Sequence, residues 1–276
     1  MSTLLKRVLT ALVLLPPVIG TLWFGSTLLV GIVFGAAVLI AAHEWAALAG
    51  VRRGTGATAA YVGVTAVLIA LVVWQRAGLL PWALMAATVA WWFLMLAWIV
   101  RFPAGFDDTH PPRWLKAGAG LLVVPATIGA VVVLHASPDG ALRLLFAFVL
   151  VWAADIGAYF TGQGFGRHKL APNVSPGKTW EGLAGGLVWS LAIAGAAGVW
   201  LFKLEGAAAW VPFLLLSAAV VLLSIVGDLG ESLIKHQAGV KDSGTLLPGH
   251  GGLLDRIDSL LAALPALALG LRGLGL

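Results

Sequence analysis

Two stretches of this 276-residue chain gather side chains that could do chemistry. The second and richer stretch begins Gly227-Asp228-Leu229-Gly230-Glu231-Ser232-Leu233-Ile234-Lys235-His236. Asp228, Glu231, Ser232 and Lys235 are spaced i, i+3, i+4 and i+7, which puts them on one face of a helix. A loop with Lys241, Asp242 and Pro248-Gly249-His250-Gly251-Gly252 follows, then Asp255-Arg256-Ile257-Asp258. Asp255 and Asp258 also share a helix face. One acid at a helix N-terminus is accounted for by the dipole. Two acids beside a His and an Arg, at the mouth of an apolar segment, need more than that. Asp228, Asp255 and Asp258, with Asp155 from the first stretch, are hard oxygen ligands of the type that binds Mg²⁺ together with substrate phosphates. Alone these carboxylates would repel one another. With a divalent ion and a polyphosphate the charges balance, and Lys178, Lys235, Lys241 and Arg256 would hold the phosphates.

The first stretch runs from Asp155 to Gly182. Asp155 is read as ending an apolar span, where a carboxylate is costly unless it is paired, metal-bound or facing water. Tyr159 lies one turn on, on the same face. Ser175-Pro176 predicts a helix start over 176–181, with Ser175 as N-cap and Pro176 at the first helical position. Such a start offers free N–H groups to a phosphate, and Lys178 adds a positive charge beside them. Gly177-Lys178-Thr179 resembles the end of a phosphate-binding P-loop. That motif needs a glycine at position 172, which is Pro172 here, and a preceding strand.

These residues must be positioned by elements of an unusual composition. Hydrophobic residues make up 60% of the chain and charged residues 11%. Mean hydropathy is +0.98. A soluble domain carries about 25% charged residues, so a water-soluble enzyme is excluded. There is no cysteine, hence no disulfide, thiolate metal site or cysteine nucleophile. Stretches near the ~20 residues that span a bilayer fall at 8–24, 27–48, 58–74, 79–100, 118–136, 140–160, 181–202, 209–227 and 253–271. They are continuously apolar rather than alternating, which predicts an all-α, polytopic membrane protein of nine spans. Lys6 and Arg7 before the first apolar run resemble a signal peptide, but the run reads as an uncleaved first span.

With the N-terminus in the cytosol, thirteen of the 17 Lys and Arg fall inside; only Arg76, Arg143, Lys203 and Arg272 fall outside. This bias sets the N-terminus and both polar stretches on the cytosolic face. The expected organisation is one membrane domain: helices over 1–136 that carry few polar groups, then a catalytic region over 137–276. A bacterial-type inner membrane is the expected location. No nucleic-acid partner is expected.

The second stretch resembles the signature of the CDP-diacylglycerol synthases (phosphatidate cytidylyltransferases). The matching residues are Ser232, Ile234, Lys235, Lys241-Asp242, Gly244, Leu247-Pro248, His250-Gly251-Gly252 and Asp255-Arg256-Ile257-Asp258. His236 stands where that family has Arg, so a phosphate contact there would depend on protonation. The first stretch is similar in Asp155 to Tyr159, Ser175 to Thr179 and Glu181 to Gly186. The first 130 residues resemble the family only in hydropathy.

The resemblance implies an enzyme of phospholipid synthesis that joins CTP to phosphatidate, giving CDP-diacylglycerol and pyrophosphate. It further implies a homodimer and a cytosol-facing cavity open to the bilayer and its lipids. The implied cofactor is Mg²⁺ or another divalent cation, with room for a second cation. Asp228 and Asp255 are its leading ligands, followed by Asp258 and Asp155. Lys178, Asp228, Lys241, Asp255 and Arg256 are the implied catalytic set. Ser175, Thr179, Ser232, Lys235, His250, Gly251 and Gly252 are the implied substrate contacts, with His250 open between a phosphate contact and a turn-forming role.

A transporter or channel would also place ionisable residues in a membrane chain, but transporters place them nearer the midplane and in repeated halves. Another CTP-dependent lipid enzyme, such as a polyprenol kinase or an archaeal-lipid cytidylyltransferase, would share the metal and CTP and differ in the lipid.

Overall fold

The computed structural model describes residues 16–101, 111–246 and 251–276. Residues 16–24 are helical, and eight longer helices follow. They are α1 (Thr27–Leu48), α2 (Gly56–Trp74), α3 (Leu80–Arg101), α4 (Arg113–Ala136), α5 (Gly140–Phe165), α6 (Trp180–Trp200), α7 (Gly206–Ala238) and α8 (Leu254–Leu274). The chain is an all-α, polytopic membrane protein, as its hydropathy predicts. The helices α1 to α7 are each long and apolar enough to cross a membrane. The first expected span reaches into residues outside the described ones. The last does form a helix, but Asp255, Arg256 and Asp258 sit in its opening turns and make it less apolar than the others. Its residues from Ser259 to Ala268 are all buried. Thus α8 is an inner helix enclosed by its neighbours rather than by lipid.

Small residues and indole rings allow this close packing. Gly157 of α5 and Gly185 and Gly186 of α6 lie where the two helices touch; a Cβ on Gly186 would come within 2.7 Å of the Ala154 carbonyl. Ser190 Oγ donates to the Leu150 carbonyl across the same contact (2.9 Å). On α7, a Cβ at Gly227 would come within 2.6 Å of the Asp258 carbonyl on α8. Pro265 lies inside α8 and offers no N–H to the Leu261 carbonyl. The Trp92 indole of α3 donates to that carbonyl (3.3 Å), so this acceptor is not left bare in the apolar interior. One core of buried side chains runs from Leu22 to Leu271 and draws on both halves of the chain.

Two local expectations are corrected. Ser175 does not cap a helix: Ser175–Thr179 forms strand β2, paired antiparallel with β1 (Lys169–Ala171) in a two-stranded hairpin. The cap lies four residues on, at Thr179, whose hydroxyl accepts from Gly182 N at the start of α6 (3.1 Å). Asp155 does not end its helix either. It lies fifteen residues into α5, which continues to Phe165 through Gly162 and Gly164. At 1.5 Å per residue it is about 22 Å along the helix, within the thickness of a bilayer's hydrocarbon core.

Candidate active site

The hairpin, the starts of α6 and α8 and inner stretches of α5 and α7 meet around a cavity of about 610 Å³. Helix α5 contributes Asp155 and Tyr159, β2 contributes Lys178, α7 contributes Asp228, and the start of α8 contributes Asp255, Arg256 and Asp258. The remaining wall is mostly apolar, with Val151, Trp152, Leu183, Ile225 and Leu260. The hairpin puts Lys178 at this place. It closes the α5–α6 corner, and its base is locked by Glu181, which accepts from the backbone N–H of Arg167 (3.1 Å) and pairs with the His168 ring (2.6 Å).

Five charged groups here have partners inside the protein. Lys178 Nζ lies 2.6 Å from Asp228 Oδ2, and Ser232 Oγ donates to Asp228 Oδ1 (3.3 Å). Lys235 Nζ lies 2.7 Å from both Glu231 Oε2 and Asp255 Oδ1. The Asp255 carboxylate also accepts from Gly252 N (2.8 Å) and Ser243 N (3.0 Å), so both of its oxygens are engaged. Gly251 has φ +84°, and a Cβ there would come within 2.9 Å of Asp255 Oδ2. The turn before α8 is therefore wrapped around this carboxylate.

The expected residues divide accordingly. Asp155, Lys178, Thr179, Asp228, Asp255, Arg256 and Asp258 line one cavity. Ser232 supports Asp228, and Gly251 and Gly252 shape the turn around Asp255. Lys235 is committed to two carboxylates rather than free to hold a phosphate. Lys241 is exposed on the loop after α7, and neither it nor Ser175 is among the cavity-lining residues. His250 lies outside the described residues.

One site-building residue was not expected. Glu44, near the end of α1, is 4% exposed. Its carboxylate accepts from Ser243 Oγ (3.0 Å), Leu253 N (3.1 Å) and Leu254 N (2.7 Å). The first helices thus do more than fill the membrane. The available signal was an acid inside an apolar span.

The cavity and its border hold the carboxylates of Asp155, Asp228, Glu231, Asp255 and Asp258 against the cations of Lys178, Lys235 and Arg256. The acids exceed the bases by two, before any phosphate arrives. Among the described residues no three Asp, Glu or His side chains converge into a complete metal cage. This donor set fits a hard divalent cation of the Mg²⁺ type, which takes one or two protein carboxylates and completes its shell with substrate oxygens and water.

The chain matches the cytidylyltransferase family over residues 5–273. It is 43% identical to a phosphatidate cytidylyltransferase of Pseudomonas aeruginosa over 264 residues, covering 95% of both chains. It is 37% identical to one from Haemophilus influenzae, covering 94% of this chain and 96% of the relative. It is 36% identical to one from Brucella suis, covering 95% of this chain and 91% of the relative.

Proposed function

Since the chain belongs to the cytidylyltransferase family and transfers a cytidylyl group from CTP to phosphatidate, giving CDP-diacylglycerol, we propose that the transfer takes place in the cavity between Asp155, Lys178, Asp228 and Asp258. The observation that carries this assignment is the convergence there of acids and bases from α5, β2, α7 and α8 in a protein with so few charges.

The nucleophile is a phosphate oxygen of phosphatidate, attacking the α-phosphorus of CTP in line and expelling pyrophosphate. A phosphate monoester has a second pKa of about 6, so at neutral pH it arrives largely as the dianion and needs no general base. The protein's work is to position two anions against each other and to neutralise charge. Lys178 is held over the cavity by the hairpin and moves from Asp228 to a phosphate oxygen when substrate enters. Arg256, at the mouth, offers a planar fork to a second phosphate. Thr179, Ser232, Gly251 and Gly252 hold these groups in place.

Asp228 is the leading residue to hold a divalent cation, Mg²⁺ first, with Asp258 and Asp155 lining the same cavity. Asp255 joins only by giving up one of its bonds to Lys235 or the backbone. When bound, the cation supplies Lewis-acid stabilisation of the charge on the phosphates. Nine passes, an N-terminus and active site on the cytosolic face of a bacterial inner membrane, and a homodimer complete the proposal. The Lys and Arg bias supports the orientation. Asp228 lies about 33 Å from the start of α7, close to the thickness of the hydrocarbon core, which fits a site near one membrane face.

Purified protein in detergent micelles tests this. It should form CDP-diacylglycerol from CTP and phosphatidate, lose that activity to EDTA, regain it with Mg²⁺, and discriminate against ATP and GTP. Full turnover in EDTA would remove the cation from the proposal, and equal use of ATP would remove cytosine selectivity.

A further inference from the structure

Helix α8 carries Asp255, Arg256 and Asp258 in its opening turns, yet it has no side-chain cap of its own: Leu253 stands at its N-cap position. The first N–H groups of a helix are unpaired donors, and leaving them bare in an apolar interior is costly. Here the Leu253 and Leu254 N–H groups are satisfied from another helix, by the carboxylate of Glu44, across 209 and 210 residues of sequence. The same carboxylate accepts from Ser243 Oγ, and the Ser243 backbone N–H is bound to Asp255. The loop leaves room for Glu44 by having no side chain at two places. A Cβ at Gly244 would lie 2.2 Å from Glu44 Oε1, and one at Gly252 would lie 2.7 Å from it. Arg53, just beyond α1, adds a bond from its guanidinium to the Ser243 carbonyl (3.0 Å).

We propose that Glu44 is a positioning residue for cytidylyl transfer, acting as the N-terminal cap of α8 from another helix and so setting where Asp255 and Arg256 face the cavity. It touches no reacting atom. Its charge suits a helix N-terminus, and its two oxygens accept from three donors on both sides of the loop, which no neutral side chain of this shape does. A glutamine puts an NH₂ group where an acceptor is needed, so the turn shifts while the volume is kept. A shift of about 1 Å in a catalytic group costs on the order of a hundredfold in rate.

The proposal rests on the active-site assignment above, so Asp228→Asn is measured alongside. Wild type, Glu44→Gln, Glu44→Asp and Ser243→Ala are purified in detergent. Each is compared for melting temperature and for kcat and KM toward CTP and phosphatidate. Glu44→Gln should stay folded and keep both KM values within about threefold, while kcat falls roughly ten- to a hundredfold. Glu44→Asp, which keeps the carboxylate, should recover a substantial part of kcat. Ser243→Ala should lower kcat less, and should add little when combined with Glu44→Gln, because the two share one bond. Wild-type kcat in Glu44→Gln, a change in KM alone, or equal losses in the Gln and Asp variants that follow the fraction of folded protein would each overturn the proposal. An active Asp228→Asn would instead overturn the active-site assignment.

Discussion

Lys235 has a carboxylate on each side, Glu231 one turn before it and Asp255 on the facing helix, both at 2.7 Å. Its side chain is 14% exposed and that of Glu231 is 1%. Removing one member of a buried ion pair leaves the other charge uncompensated, at a cost of about 3–5 kcal/mol. Lys235→Met should therefore lower the unfolding free energy in detergent by about that amount, seen as a lower denaturant midpoint, and adding Glu231→Gln should restore part of it. An unchanged midpoint would mean that the triad contributes little to folding. At this scale the sequence was most legible where neighbours are close in the chain: Asp228, Ser232 and Lys235 were placed on one face by spacing alone. Spacing gives no sign that Lys235 also pairs with Asp255, because that partner lies twenty residues away on α8. Glu44 stood out only as an acid in an apolar span, and its partners were unreadable for the same reason taken further. Its donors are about two hundred residues away, and no local motif surrounds it.

The elements owe their separations to glycine. Gly227 precedes Asp228 and lies against the Asp258 carbonyl, so the absence of a side chain there sets how near the two acids come. Gly227→Val would push α7 off α8. Overpacking of this kind costs about 1–3 kcal/mol, and the displacement of Asp228 from Asp258 should reduce kcat more than it raises either KM. Steady-state kinetics with a parallel melting curve check this; a stability loss with unchanged kcat would show that the spacing of the two acids is not critical. The helices themselves were readable from hydropathy. The hairpin was not, since Ser175-Pro176 and Thr179 both fit the pattern of a helix cap. The choice between them is made by pairing of β2 with Lys169–Ala171, which is tertiary information. Helix α5 outran its expected end, continuing through Gly162 and Gly164 to Phe165.

Across the whole molecule, most of the scarce charge gathers toward the end of the bundle that holds the cavity. Glu205, at the N-cap of α7, and Asp228, twenty-three residues later and ten before the helix ends at Ala238, lie about 34 Å apart along one element. Both are single acids on the same element, but Asp228 faces Lys178 in the cavity and Glu205 is exposed at the opposite end. The most direct measurement is the rate of CDP-diacylglycerol formation by Asp228→Asn and Glu205→Gln at saturating CTP, phosphatidate and Mg²⁺, with equal amounts of folded protein. Asp228→Asn should lose at least about two orders of magnitude in kcat, the loss typical of removing a group that stabilises transition-state charge, while Glu205→Gln stays within about twofold of wild type. Near-wild-type turnover by Asp228→Asn would contradict the placement of the reaction in this cavity.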